Sequence, residues 1–161
     1  MAERIQYVTL GVAKELLAAP VSTVQEILDV RPIARLPQAP PNLLGMIDVR
    51  GQGIPVLDLR LTLGLEPAED SENTRIVVLR IGKAGSDLTV GLRADRVFEV
   101  TVLDQEALDP PPSISANWQD HCIAGIGRRN GAFVTVLDLD KLLAGLRLPA
   151  ISGLANASQA A

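Results

Sequence analysis

Residues 45–59 read GMIDVRGQGIPVLDL, and residues 125–139 read GIGRRNGAFVTVLDL. At a constant shift of 80 residues, Gly45 falls on Gly125, Gly51 on Gly131, and the VLDL of 56–59 on that of 136–139. A second match lies upstream in each half: Val24-Gln25-Glu26-Ile27 against Val97-Phe98-Glu99-Val100. A period of this size is too long for a solenoid and marks two copies of one small unit. Two such units create a seam, and a seam is where a small protein can bind a partner.

Working outward, each block reads as strand, turn, strand, short helix. Arg50-Gly51-Gln52-Gly53 and Arg129-Asn130-Gly131 have hairpin-turn chemistry, because Gly and Asn tolerate positive φ. Arg50 and Arg129 are then expected at the tips of equivalent hairpins. Asp58 can cap the first free amides of a helix, and Gly64 can sit in the left-handed position past its end. Asp138 and Gly145 repeat that arrangement, with Leu59, Leu63 and Leu139, Leu142, Leu143 as buried stripes. Further β-branched segments are expected as strands at Ile5–Leu10, Arg75–Ile81, Leu88–Leu92, Val97–Val102 and Cys122–Gly127. A third short helix is expected from Pro20, where Val24, Ile27 and Leu28 have i, i+3, i+4 spacing. Many short strands without long helices between them predict an all-β fold with short helices, a barrel or sandwich. Glu66–Asn73 (EPAEDSEN) is an acidic linker at the midpoint, where the boundary between repeats should lie. Pro110-Pro111-Pro112 is an extended insertion in the second half.

Composition bounds the function. The 161 residues are 47% hydrophobic but include only four aromatics, Tyr7, Phe98, Trp118 and Phe133, so the core must be aliphatic. A net charge of -4 argues against sequence-independent nucleic-acid binding, which needs a basic face. A lone cysteine, Cys122, cannot form an internal disulfide, and a reducing compartment is expected. The N-terminus lacks a signal-peptide pattern, and no apolar run is long enough to span a membrane.

Catalytic chemistry finds little support. The single histidine, His121, neighbours Cys122, and adjacent strand residues point to opposite faces. Gly82-Lys83-Ala84-Gly85 lacks the order of a phosphate-binding loop and lies between strands. Asp58, Asp138 and Asp140 read as helix-start carboxylates rather than metal ligands. No enzyme activity, metal or cofactor is expected. What remains suits binding: Arg50 and Arg129 at the turns, and Val24 and Glu26 on a short element copied at Val97 and Glu99.

The order PVSTVQEI (20–27), IARLPQAPPNLLGMIDVRG (33–51), IPVLDLRLTLGL (54–65), VGLRADRVFEV (90–100) and IAGIGRRNGAFVTVLDLDKLL (123–143) strongly resembles the CheW family, from about residue 5 to about residue 146. The resemblance implies two SH3-like five-stranded β-barrels related by a pseudo-two-fold. Residues 1–151 would then form one domain of two intertwined barrels, with a boundary near 66–73, some strand exchange allowed, and a flexible tail at 152–161. It implies a non-enzymatic, cytoplasmic adaptor of bacterial chemotaxis at membrane-associated receptor arrays. Its partners would be the cytoplasmic tip of a methyl-accepting chemoreceptor and the regulatory domain of a CheA-type histidine kinase. An incompletely closed barrel also leaves edges for weak self-association. A scaffold role in a pilus, cell-pole or other non-flagellar system stays open.

Carried over residue by residue, the groove positions fall on Val24, Glu26, Asp48, Arg50 and Gly51. Gly45, Gly91 and Gly125 match glycines that shape the barrels. The family's Asn-Leu-Arg-Gly is Asp48-Val49-Arg50-Gly51 here. Asp in place of Asn adds a charge and removes two donors, which matters if that side chain must donate.

Overall fold

The computed structural model describes residues 5–82, 88–105, 107–110 and 123–144. His121, Cys122, Trp118, Pro111, Pro112, Gly145, most of the 82–87 loop, the 152–161 tail and the side chain of Leu143 lie outside the described residues.

Among the described residues, ten strands form two five-stranded sheets. The strands are β1 (Tyr7–Val12), β2 (Glu15–Pro20), β3 (Val24–Asp29), β4 (Leu43–Val49), β5 (Gln52–Asp58), β6 (Arg75–Ile81), β7 (Leu88–Ala94), β8 (Arg96–Thr101), β9 (Ile123–Arg129) and β10 (Ala132–Leu137). Helix α1 (Leu59–Thr62) follows β5, and α2 (Leu139–Ala144) follows β10. The first sheet has the order β8-β1-β2-β10-β9, and the second has β3-β6-β7-β5-β4. The two orders are the same once β8 is matched with β3, β9 with β4 and β10 with β5. In each, one parallel pairing, β10 with β2 or β5 with β7, interrupts otherwise antiparallel neighbours.

This topology explains the repeat. Copy one runs β1 to α1, and copy two runs β6 to α2. Each copy places its first two strands in the other copy's sheet. The acidic segment 66–73 therefore separates copies in the sequence but not sheets in space, since β5 and β6 both belong to the second sheet. The chain changes sheet instead between β2 and β3, and between β7 and β8.

Each sheet curls around its own small core. Ile47, Val49, Ile54, Val56, Ile76 and Val78 fill the second, while Tyr7, Ala18, Leu103, Val134 and Val136 fill the first. A larger aliphatic core lies between them and draws on both, including Leu10, Val12, Leu17, Leu57, Leu59, Leu79, Leu92 and Leu137. Burial of this shared layer is the main force joining the sheets.

The expected helix from Pro20 is a strand. Only Val21–Thr23 form a 3₁₀ turn, and β3 follows with alternating burial. Pairing of β3 with β6 overrides an ambiguous apolar spacing. Strand β2, ELLAAP, was not expected at all, because Leu and Ala carry weak strand signals. It sits centrally, between β1 and β10, where tertiary burial decides.

The glycine at the head of each repeat has a specific task. In copy one, the connection from β3 returns to bridge Ala34 with Met46, and a Cβ at Gly45 would collide with Ala34 O. In copy two, Asp109 bridges Ile126, and a Cβ at Gly125 would lie 2.7 Å from Leu108 Cβ. Gly91 is similarly crowded, with Ile76 Cγ2 at 2.8 Å.

Candidate functional site

Hairpin β4–β5 is closed by Arg50 and Gly51, at φ 52° and 82°. Asn130 and Gly131, at 54° and 83°, close β9–β10 in the same way. Positive φ at both central residues matches the right-handed twist of the flanking strands. The counterpart of Arg50 is thus Asn130, not Arg129, whose position matches Val49. Asn is at ease in that conformation, whereas Arg is uncommon there.

From this turn Arg50 reaches back to β3. Its Nη1 donates to Glu26 Oε2 at 2.6 Å and its Nη2 to Glu26 Oε1 at 2.9 Å. The hydrogen bonds and the charge of Glu26 raise the guanidinium pKa above its ordinary value. Asp48 Oδ1 accepts the Gly51 amide at 2.7 Å. The side chain at 48 therefore accepts rather than donates in this turn, a role Asp fills as well as Asn. Arg31 Nη1 adds a bond to Asp48 O at 3.3 Å. Glu26, Asp48, Arg50 and Gly51 thus form one cluster at the exposed end of the second sheet. Val24 is separate in character: it is half-buried and packs against the shared core. Gly45, Gly91 and Gly125 lie within the strands.

The second copy has a looser version. Arg129 Nη2 lies 3.4 Å from Glu99 Oε1. Its turn amides, Asn130 N and Gly131 N, donate to the Asp104 carboxylate at 3.0 Å each.

The apolar part of the site went unread in the sequence. Ile27 on β3 and Phe98 and Val100 on β8 are 42%, 52% and 51% exposed. Strands β3 and β8 each lie at one edge of their sheet, and Ile27, Val97 and Phe98 line a concavity of about 350 Å³. Edge position and outward alternation expose these residues, and the match of VQEI with VFEV marks the two segments as equivalent, although the first was expected as a helix. A larger cleft of about 800 Å³ lies elsewhere, along the 30–44 connection, and holds none of the sequence-predicted site residues.

One buried ion pair and one partly buried pair lie near the seam. Arg93 on β7, 5% exposed, places Nη1 3.5 Å from Asp58, which is 3% exposed and caps α1 by accepting the Arg60 amide. Arg93 also donates through Nε to Asp70 at 2.6 Å and through Nη2 to Ala68 O at 2.9 Å, fastening the acidic segment. Arg60 pairs with Asp95. Burial alone would raise the Asp95 carboxyl, but hydrogen bonds from Arg60 and the Ala13 amide, with the charges of Arg60 and Arg93, hold it below its ordinary value. Among the described residues, no group of three His, Cys, Asp or Glu could hold a metal ion, and no helix is long and apolar enough to cross a membrane.

Comparison with known proteins agrees over nearly the whole chain. The CheW-like domain matches residues 6–147. The chain is 30% identical to chemotaxis protein CheW of Helicobacter pylori, covering 88% of this chain and 82% of that protein. It is 28% identical to protein FrzA of Myxococcus xanthus, covering 84% and 83%. The crystal structure of the scaffolding protein TtCheW from Thermoanaerobacter tengcongensis superposes with a TM-score of 0.74, at 26% identity over 84% of this chain and 90% of that one.

Proposed function

This chain belongs to the CheW-like family of chemotaxis scaffold proteins, and from that premise we propose that it is a non-enzymatic adaptor joining a chemoreceptor's cytoplasmic tip to a CheA-type histidine kinase. The receptor helix docks across the seam between the barrels. One observation carries this reading: Ile27, Phe98 and Val100 form an exposed apolar stripe on β3 and β8, edge strands of the two sheets that line one concavity together. A helix with i, i+3, i+4 apolar anchors matches such a stripe. Glu26 and Arg50 stand at its rim as a ready charge pair, and Val24 supports β3 from below. The barrel ends remain for the kinase's regulatory domain, so that weak contacts combine by multivalency. The protein then works in the cytoplasm against membrane-associated arrays, and residues 1–151 act as one unit with 152–161 as a tail.

Replacing Ile27 by Asp puts a charge on the apolar stripe. Calorimetry with a receptor-tip fragment is expected to show loss of binding, while circular dichroism stays unchanged. Full affinity in the folded variant contradicts the groove assignment. The likeness to protein FrzA favours one second reading inside the family: the same adaptor chemistry serving a non-flagellar signalling system. Identifying the kinase that co-purifies with the protein decides between the two.

A further inference from the structure

Asp95 stands where the chain leaves one sheet for the other, after β7 ends at Ala94 and before β8 starts at Arg96. Both sheets share its carboxylate. From α1, Arg60 donates through Nε to Oδ1 at 3.0 Å and through Nη2 to Oδ2 at 2.7 Å. From the β1–β2 turn, the Ala13 amide donates to Oδ2 at 2.6 Å. Ala13 has a φ of 55°, uncommon for a residue with a Cβ, and has no side-chain acceptor to hold itself there. The shared apolar core presses the sheets together but is non-directional. The β1–β8 ladder pairs Gly11 with Arg96 within the first sheet, and Asp95 adds directional restraint between the sheets at this end of the seam.

Three residues further on is Phe98. It lines both a concavity of about 540 Å³ that includes Asp95, Arg60 and Ala13, and the 350 Å³ concavity that includes Ile27. Phe98, with Arg96, therefore stands between the tie and the groove. The Arg96 guanidinium lies over its ring, 5.7 Å from the centroid.

We infer that Asp95 is a positioning residue for the groove: bound to Arg60 of one barrel and Ala13 of the other, it fixes the start of β8 and so places Phe98 as the wall beside Ile27. This inference rests on the groove reading above, and its test separates the two. The chain has two phenylalanines, Phe98 and Phe133. Protein made with fluorinated phenylalanine gives two fluorine signals, assigned with Phe133→Leu. Asp95→Ala is expected to shift and broaden the Phe98 signal and leave Phe133 in place. Arg60→Gln keeps the Ala13 bond and should give a smaller shift of the same sense. General destabilisation would move both signals, so a selective change is specific to the tie. If Asp95→Ala does not fold, Arg60→Gln decides alone. An unmoved Phe98 signal in the folded variants overturns the inference. So does full affinity for the receptor-tip fragment when Phe98 is displaced, provided that Ile27→Asp abolishes binding in the same assay. The Ile27 result tests the groove without involving Asp95.

Discussion

The two crossings between the barrels are built differently. The first, from Pro20 to Thr23, is held by its own Thr23 hydroxyl, which donates to Pro20 O at 2.7 Å, and by the backbone bond of Val21 N to Gln6 O at 2.9 Å, with no side-chain hydrogen bond from the other sheet among the described residues. The second places Asp95 between Arg60 and Ala13, so it is braced from outside. The hairpins differ in the same sense. Arg50 grips Glu26 through two short bonds, whereas Arg129 and Glu99 stand 3.4 Å apart. Features that build each barrel are common to both copies: the VLDL cap, the two-residue turn and the leading glycine. Features that face the seam are not. Duplication preserved what folds and let diverge what meets partners.

The largest test of this contrast is at the leading glycines. Gly45→Ala meets a backbone oxygen in a positive-φ conformation and should cost about 3 kcal/mol or more. Gly125→Ala meets Leu108 Cβ and, less closely, Asp109 O, but without a positive φ, and should cost about 2 kcal/mol. Urea denaturation of both variants measures the order, and equal costs would remove the distinction.

The caps come next. Asp58→Ala leaves Arg93 buried without that carboxylate and should cost about 3 kcal/mol. Asp138→Ala removes only a cap on Lys141 N, worth about 1 kcal/mol. At the position equivalent to Arg93, the first sheet has Pro20, which offers no charge. Thermal unfolding of the pair tests whether the buried ion pair belongs to one copy alone.

A smaller effect is expected in acid. The Asp95 carboxyl is held below its ordinary 3.8, so its contribution to stability is complete above that value and is lost as pH falls through the lower folded value. Asp95→Asn should therefore be less stable than the parent by a constant amount from neutral pH to about pH 5. The gap should close below 3.8. A gap that persists unchanged into strong acid would show that the carboxylate's charge is not what holds the crossing.

The smallest stability change is expected for Arg50→Ala, since that side chain is largely exposed. Its melting temperature should match that of Arg129→Ala. Binding of the receptor-tip fragment should weaken more for Arg50→Ala, and equal losses would erase the asymmetry at the rim.

Much of this was legible in the chain. The repeated VLDL announced β5–α1 and β10–α2, and Asp58 and Asp138 do cap those helices. The pairing of VQEI with VFEV identified β3 and β8 as counterparts. The reciprocal placement of β1–β2 and β6–β7 was not legible, because local periodicity says that a strand forms but not which sheet receives it. Strand β2 was missed because Leu16, Leu17, Ala18 and Ala19 owe their conformation to burial, not to propensity. Arg129 was matched to Arg50 by residue type, although the turn geometry pairs Arg50 with Asn130. Asp95 lay inside a quoted motif, yet its partners Ala13 and Arg60 are 82 and 35 residues away in sequence. Among the groove residues, Ile27, Phe98 and Val100 were hidden because exposure on an edge strand depends on the assembled sheets.

The two phenylalanines give the most direct test of the seam as the binding surface. Phe98 stands at the groove, and Phe133, 66% exposed, stands on the β9–β10 hairpin under Arg128. Fluorine-labelled parent protein titrated with a chemoreceptor-tip fragment should show the Phe98 signal moving to saturation while the Phe133 signal stays fixed. Saturable movement of Phe133 with Phe98 unmoved would place the receptor on the barrel end and contradict the account.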